Sequence, residues 1–289
     1  MSAPSMLWLT VFFVIPTLLV VAISFHTASP DGGIGREWTL QTWQHISNPN
    51  YPAIIWRTLW ISAATTAGCV ILALPCAFAI ARMHKKWRAV MAGLIMLPFW
   101  TSFIVRVFAW RLLLHPEGFL KNLLVAMGLA EPNTQLLYNS GAILLVSIYS
   151  FLPFAIIPIY AAAEKFDFSL MEAARDLGAR SFFAFRKIFI PGIRRGVISA
   201  ILMVFIPSVG SYVIPDLVGG KNSELIGNKI YQRTFPDRNL PHASALSAIM
   251  AFGVLVPLGM VAFFIKRQDR NEALRIAESN GVKQKGGAA

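Results

Sequence analysis

Few residues in this chain have the types and spacing that chemistry requires. The five histidines, His26, His45, His84, His115 and His242, are scattered and show no metal-ligand spacing. No His-Glu-x-x-His occurs, and Gly219-Gly220-Lys221-Asn222 does not complete a phosphate-binding loop. Cys69 and Cys76 fall on one face of a helix, too far apart along its axis to bridge, and read as two buried, inert thiols. The chain is therefore not expected to be an enzyme. One stretch has chemistry of another kind, that of gripping a protein. Glu172-Ala173-Ala174-Arg175-Asp176-Leu177-Gly178 is followed nine residues later by Ile188-Phe189-Ile190-Pro191. Ser169-x-x-Glu172 reads as a capping box that starts a helix. Gly178 reads as its left-handed stop. Ser181 reads as the cap of a second short helix that Pro191 closes off. Ala173 and Ala174 are small enough to let another backbone approach, and Phe182, Phe183 and Phe185 offer an apolar knob.

The elements that must position this hairpin are apolar spans. Of the 289 residues 56% are hydrophobic and 14% charged, with a mean hydropathy of +0.58. A soluble domain carries about a quarter charged residues. About 20 apolar residues cross a bilayer core. Six spans are expected, at about residues 6–25, 58–81, 89–114, 140–163, 196–215 and 243–265. They form one transmembrane domain over 1–265, with the hairpin in the loop 164–195 between the fourth and fifth spans and a charged tail at 266–289. The expected fold class is an all-α membrane protein. A first helix that is retained, rather than cleaved as a signal peptide, fits the missing basic n-region and the length of the apolar run.

The net charge of +12 is not a nucleic-acid footprint. The connection 82–88, the loop 164–195 and the tail together hold 17 Lys/Arg, against 7 in the alternate connections. That is a positive-inside pattern, which predicts both termini and the hairpin loop on the cytoplasmic side.

Every span contains proline. The fifth adds Pro207, Ser208, Gly210 and Ser211 in mid-membrane, the composition of a broken helix that lines a solute path. The third holds Arg106 and Arg111. A charge at the depth of Arg106 is either paired or functional.

The spacing Glu-Ala-Ala-x3-Gly-x9-Ile-x-Leu-Pro resembles the signature of permease subunits in binding-protein-dependent ABC importers, with Ile190 in place of the usual Leu. A wider stretch is similar to the spermidine/putrescine permeases: Leu97-Pro98-Phe99-Trp100-Thr101-Ser102-Phe103-Ile104-Val105-Arg106 through Arg111, Ile206-Pro207-Ser208-Val209-Gly210-Ser211-Tyr212 through Gly220, and Leu225-Ile226-Gly227-Asn228. The resemblance implies a type I importer fold in a bacterial inner membrane. It implies a second permease subunit, two cytoplasmic ATPase subunits that bind ATP and Mg, and a periplasmic solute-binding protein. No cofactor is expected in this chain. The resemblance places ATPase docking on Glu172, Ala173, Ala174, Gly178, Phe182 and Phe183. The solute path is expected along Trp100, Phe103, Arg106, Tyr149, Ser208, Tyr212 and Asp216.

Substrate chemistry is divided. A polyamine would find aromatic faces but almost no carboxylate, apart from Asp216. A carboxylated solute, such as an opine or another amino-acid derivative, would find Arg106. A secondary transporter would need intramembrane carboxylates as coupling sites, and the spans lack them.

Overall fold

The computed structural model describes residues 3–255, apart from 31, 47–49, 130 and 132, together with residue 259. Helix α1 (Ala3–Leu9) runs through a π turn at Thr10–Val14 into α2 (Ile15–Ile23). A hairpin of β1 (His26–Ala28) and β2 (Ile34–Trp38) and the short α3 (Gln41–Ile46) follow. The hairpin is an antiparallel pair with His26 opposite Trp38 and Ala28 opposite Ile34, a short strand pair within the mostly helical chain that was expected. Helices α4 (Asn50–Arg82), α5 (Lys85–Met96), α6 (Phe103–Leu113), α7 (Phe119–Ala126) and α8 (Ser140–Glu164) come next. The loop elements are α9 (Ser169–Asp176), α10 (Ser181–Ala184) and α11 (Ile190–Gly192), the last two joined by a π turn at Phe185–Phe189. Helices α12 (Arg194–Val209), α13 (Val213–Val218), α14 (Ile226–Thr234) and α15 (Leu240–Leu255) complete the described chain.

Three helical stretches are long and apolar enough to cross a membrane unbroken: Met6–Ile23, Tyr51–Arg82 and Ser140–Glu164. Two further apolar stretches reach that length only as bent pairs of helices. The third expected span turns by 85° between Trp100 and Phe103, and the chain around the fifth turns by 75° between Gly192 and Arg194. The remainder of the sixth expected span, beyond α15, and the tail 266–289 lie outside the described residues.

The core is a three-helix contact of α4, α8 and α12. Its buried positions are rich in small side chains: Ala73, Ala77 and Ala81 on α4, Ala142, Ala155 and Ala163 on α8, and Ala200 on α12. In lipid there is no hydrophobic drive between helices, so close backbone approach over small residues supplies the packing energy. Cys69 belongs to this seam, with its thiol directed at the Ile148 carbonyl at 3.5 Å, but Cys76 is exposed, contrary to the expectation of two buried thiols. The buried seam steps by four residues through Cys69, Ala73, Ala77 and Ala81, and Cys76 lies one residue, about 100° of helix, away from Ala77.

Candidate functional site

The hairpin after α8 is built on a knot of five phenylalanines. Phe78 near the end of α4 meets Phe189 edge-on at 4.9 Å and Phe185 at 5.2 Å. Phe166 packs edge-on against Phe189 at 5.3 Å and Phe168 at 5.3 Å. Phe189 is fully buried, so the hairpin is riveted to the α4 end of the core. Each such aromatic pair adds roughly 0.5–1.5 kcal/mol beyond its buried area.

The α9 start differs from the expected capping box. Ser169 is already helical and caps nothing. Instead the Asp167 carboxylate accepts the Ser169 N–H at 3.0 Å. Hydrogen bonds from the Ser169 hydroxyl and from its N–H hold the Asp167 carboxyl below the usual carboxylate range. The reason is register: the helix starts one residue earlier than the Ser/Glu pattern predicts, so an acceptor is needed two residues before Ser169. The stop is as expected. Gly178 has φ +87°, its N–H donates to Arg175 O at 2.9 Å, and the Ala179 N–H donates to Ala174 O at 3.0 Å. That is a Schellman closure. Ser181 is also inside its helix rather than capping it, and Pro191 does not close that helix. Helical backbone runs on from Ser181 to Gly192 through the π turn, and the break falls at Ile193.

Glu172 and Ala173 are exposed on this hairpin and Ala174 is half-buried, while Leu177 is 90% and Phe182 73% exposed. Phe183 is exposed as well, but Phe185 is turned inward to Phe78 and leaves the expected knob. Between α9, α10 and the end of α4 lies an apolar groove of about 480 Å³, lined by Pro75, Phe78, Met171, Glu172 and Phe182 among others. A polar hollow of about 590 Å³ around Glu172, Arg175 and Gly178 adjoins it. Two large exposed apolar side chains thus stand beside an open apolar groove with a carboxylate at its edge.

The residues expected along a solute path fall into three groupings. In the first, α5 ends in a 3₁₀ turn at Leu97–Trp100, and the Pro98 carbonyl becomes the acceptor for the broken third span. It takes the Thr101 hydroxyl at 2.9 Å and the Arg106 Nη1 donor. The Arg106 guanidinium lies 5.9 Å from the ring centres of both Phe99 and Phe103. Trp100, by contrast, is 84% exposed. In the second grouping, Tyr149 on α8 meets Trp110 of α6 edge-on at 5.3 Å.

The third grouping is the break in the fifth span. Helix α12 stops at Val209 and α13 begins at Val213, leaving Gly210–Tyr212 between them. Ser208 is buried and presents no surface to a solute, whereas Tyr212 and Asp216 are exposed. Tyr212 stacks on Tyr231 of α14 at 5.2 Å and 10°. The side-chain amide of Asn228 donates to Tyr212 O at 3.1 Å and its oxygen accepts the Leu225 N–H at 3.3 Å. Thr58 Oγ1 of α4 accepts the Ile226 N–H at 2.9 Å. Gly227 is seated so close to the break that a Cβ there would lie 2.7 Å from Ser211 O. Thr58, Gly227, Asn228 and Tyr231 thus hold the break, and sequence reasoning assigned none of them this role. The only signal available was the Gly-Asn pair inside Leu225–Asn228.

A bundle of apolar helices, two stretches of it bent, with an exposed two-helix hairpin at one end, has the composition of a membrane component. The family of binding-protein-dependent transport system inner membrane components matches residues 70–270, and the chain belongs to it. Among its relatives, the spermidine/putrescine transport system permease protein PotB of Haemophilus influenzae is 34% identical over 263 residues, 91% of each chain. PotB of Escherichia coli is 31% identical over 240 residues, 83% of this chain and 87% of that one. The inner membrane ABC transporter permease YdcU of Escherichia coli is 34% identical over 254 residues, 82% of this chain and 78% of that one. A chain of a bacterial ABC transporter that imports the acidic polysaccharide alginate shares the fold, with a TM-score of 0.66 at 17% identity, covering 91% of this chain and 93% of that one.

Proposed function

We propose that this chain is the permease subunit of an ABC importer for polyamines of the spermidine/putrescine type. The observation that carries the solute class is the state of Arg106. Arg106, a cation of the third span that would repel an ammonium, is folded back onto the Pro98 carbonyl between Phe99 and Phe103. It supports its own broken helix instead of facing a solute carboxylate. The exposed rings of Trp100, Tyr149 and Tyr212 remain to meet ammonium groups, at about 0.5–2 kcal/mol per cation–π contact. The names of the PotB relatives support the same assignment.

In this reading the chain hydrolyses nothing. A second permease subunit completes the pore, and two cytoplasmic ATPase subunits bind ATP and Mg. The 164–195 hairpin, with Glu172, Ala173, Ala174, Gly178, Phe182 and Phe183, docks on them. ATP-driven closure of the ATPase pair swings the spans outward-open. A periplasmic binding protein then delivers the solute, which passes Trp100, Phe103, Tyr149, Tyr212 and Asp216. The chain sits in the bacterial inner membrane with both termini cytoplasmic, as its basic loops direct.

The test is uptake by the assembled complex in proteoliposomes, comparing spermidine and putrescine with a carboxylated amine. Polyamine uptake should fall several-fold in Trp100→Ala with assembly intact. Arg106→Gln should lose assembly or all transport whatever the solute. Uptake of the carboxylated amine alone, lost selectively in Arg106→Gln, would overturn the polyamine assignment and favour an opine-like solute.

A further inference from the structure

At the end of α4 away from the hairpin lies a polar pocket of about 520 Å³, with Arg57, Lys221, Glu224, Lys229 and Arg233 among its lining residues. Four cations from three elements thus surround one carboxylate. Lys229 is paired with Glu224 at 2.5 Å, and Gln232 donates to the same carboxylate at 3.2 Å. Arg233 is held by Asp237 at 2.8 Å and by the Tyr51 hydroxyl at 3.2 Å. Arg57 makes a long 3.5 Å contact with the Glu224 backbone oxygen, and its charge adds to that of Lys229 in favouring the ionised Glu224 carboxylate. Neither Arg57 nor Lys221 has an ion-pair partner among the described residues. The pocket therefore carries a surplus of positive charge on a rigid frame.

Three occupants can be weighed on these facts. A polycationic solute is repelled. The ATPase is out of reach, because Arg57 and the hairpin-side Arg82 stand 25 residues apart on one helix, roughly 38 Å at 1.5 Å per residue. An acidic protein surface arriving at this end is matched in sign.

The helix that supplies Lys229 and Arg233 has a second face. Its Gly227, Asn228 and Tyr231 are the residues that hold Ser211 and Tyr212 in the fifth-span break. A force applied at the pocket therefore reaches the break through one helix of nine residues.

We propose that this pocket seats a carboxylate-bearing surface of the solute-binding protein, and that α14 transmits its arrival to the break at Gly210–Tyr212. The proposal rests on the importer reading but not on the solute. Interfacial charges of this kind govern association rate and salt dependence.

The experiment uses the assembled complex in lipid nanodiscs and the solute-free binding protein that activates its ATPase, with docking read by interferometry at low and high salt. Because no solute is present, an error in the polyamine assignment leaves this result untouched. The Arg57→Glu/Lys221→Glu double variant should weaken docking about tenfold at low salt and flatten its salt dependence. Lys221→Gln, at an exposed position, should weaken it a few-fold and decides the matter if the double variant fails to assemble. Unchanged affinity and salt slope in the variants that assemble would overturn the proposal. So would a loss seen only in nanodiscs containing phosphatidylglycerol, which would assign the pocket to lipid. Asn228→Ala should dock normally yet lose stimulation of the ATPase by the binding protein. Full stimulation in Asn228→Ala would remove the transmitting role of α14.

Discussion

Gly178 offers the cleanest perturbation of the hairpin, because its cost is conformational and nothing else. Its φ is +87°, and a Cβ built there would meet no atom within 4 Å. A larger side chain is therefore penalised by the backbone alone, not by a clash with neighbours. For an L-residue the left-handed region costs roughly 1–2 kcal/mol, which lowers the population of the Schellman-closed turn about 5- to 30-fold. Gly178→Ala should therefore weaken ATPase docking by about that factor. Gly178→Val should be worse, since a β-branched residue at positive φ is a true outlier. Gly178→Asn should be the mildest of the three, since asparagine visits this region most readily. The assay is retention of the ATPase subunit through purification of the complex, followed by titration of ATPase back onto the stripped membrane subunits. Insertion of the permease into the membrane is the control. The expected order is Gly, Asn, Ala, Val. Equal retention by all three variants would refute the turn argument, and loss in Asn as severe as in Val would show that space rather than backbone geometry is decisive.

Three further outcomes are expected. Asp167→Ala should loosen the start of α9 more than Ser169→Ala does, because Asp167 accepts the Ser169 N–H and Ser169→Ala removes only a hydroxyl bond; hydrogen exchange across 169–176 reads both, and the reverse order would restore the capping box. Asn228→Leu should cost about 2 kcal/mol by stripping buried bonds from Leu225 N–H and Tyr212 O, measured as faster exchange at α13 and α14. Burial, with Arg233 and His45 acting in the same direction and Asp237 opposing, pushes His242 down to about 4. Below its ordinary value near 6.5 the unfolded chain binds the proton first, so stability should fall as pH drops from about 6.5 towards 4, and His242→Gln should flatten that limb of a thermal-melt series; an unchanged slope would refute the assignment.

The sequence by itself determined the membrane character, the apolar helical stretches and the helix–Gly178–helix turn that follows α8. Those features are written in one-dimensional terms. Apolar runs as long as a bilayer is thick, loop charge that alternates, and a glycine at a fixed distance from Glu-Ala-Ala need no tertiary partner to be read. The sequence also placed a break near Gly210, because proline, glycine and serine weaken a helix locally. What it misjudged were bonds between residues that only the fold makes neighbours. Ser169 carried the expected capping pattern, but the actual helix start lies where Asp167 reaches the chain. Phe185 looked like part of an exposed knob until Phe78, 107 positions earlier, came to cover it. Of the two breaks, only that in the fifth span was legible as a weak point, and what satisfies each of them was not. Pro98 is completed by Arg106 across the turn of its own bent span, and Tyr212 by Asn228 from a later connection. A freed carbonyl in a membrane must find a donor, and which donor reaches it is set by how the helices pack.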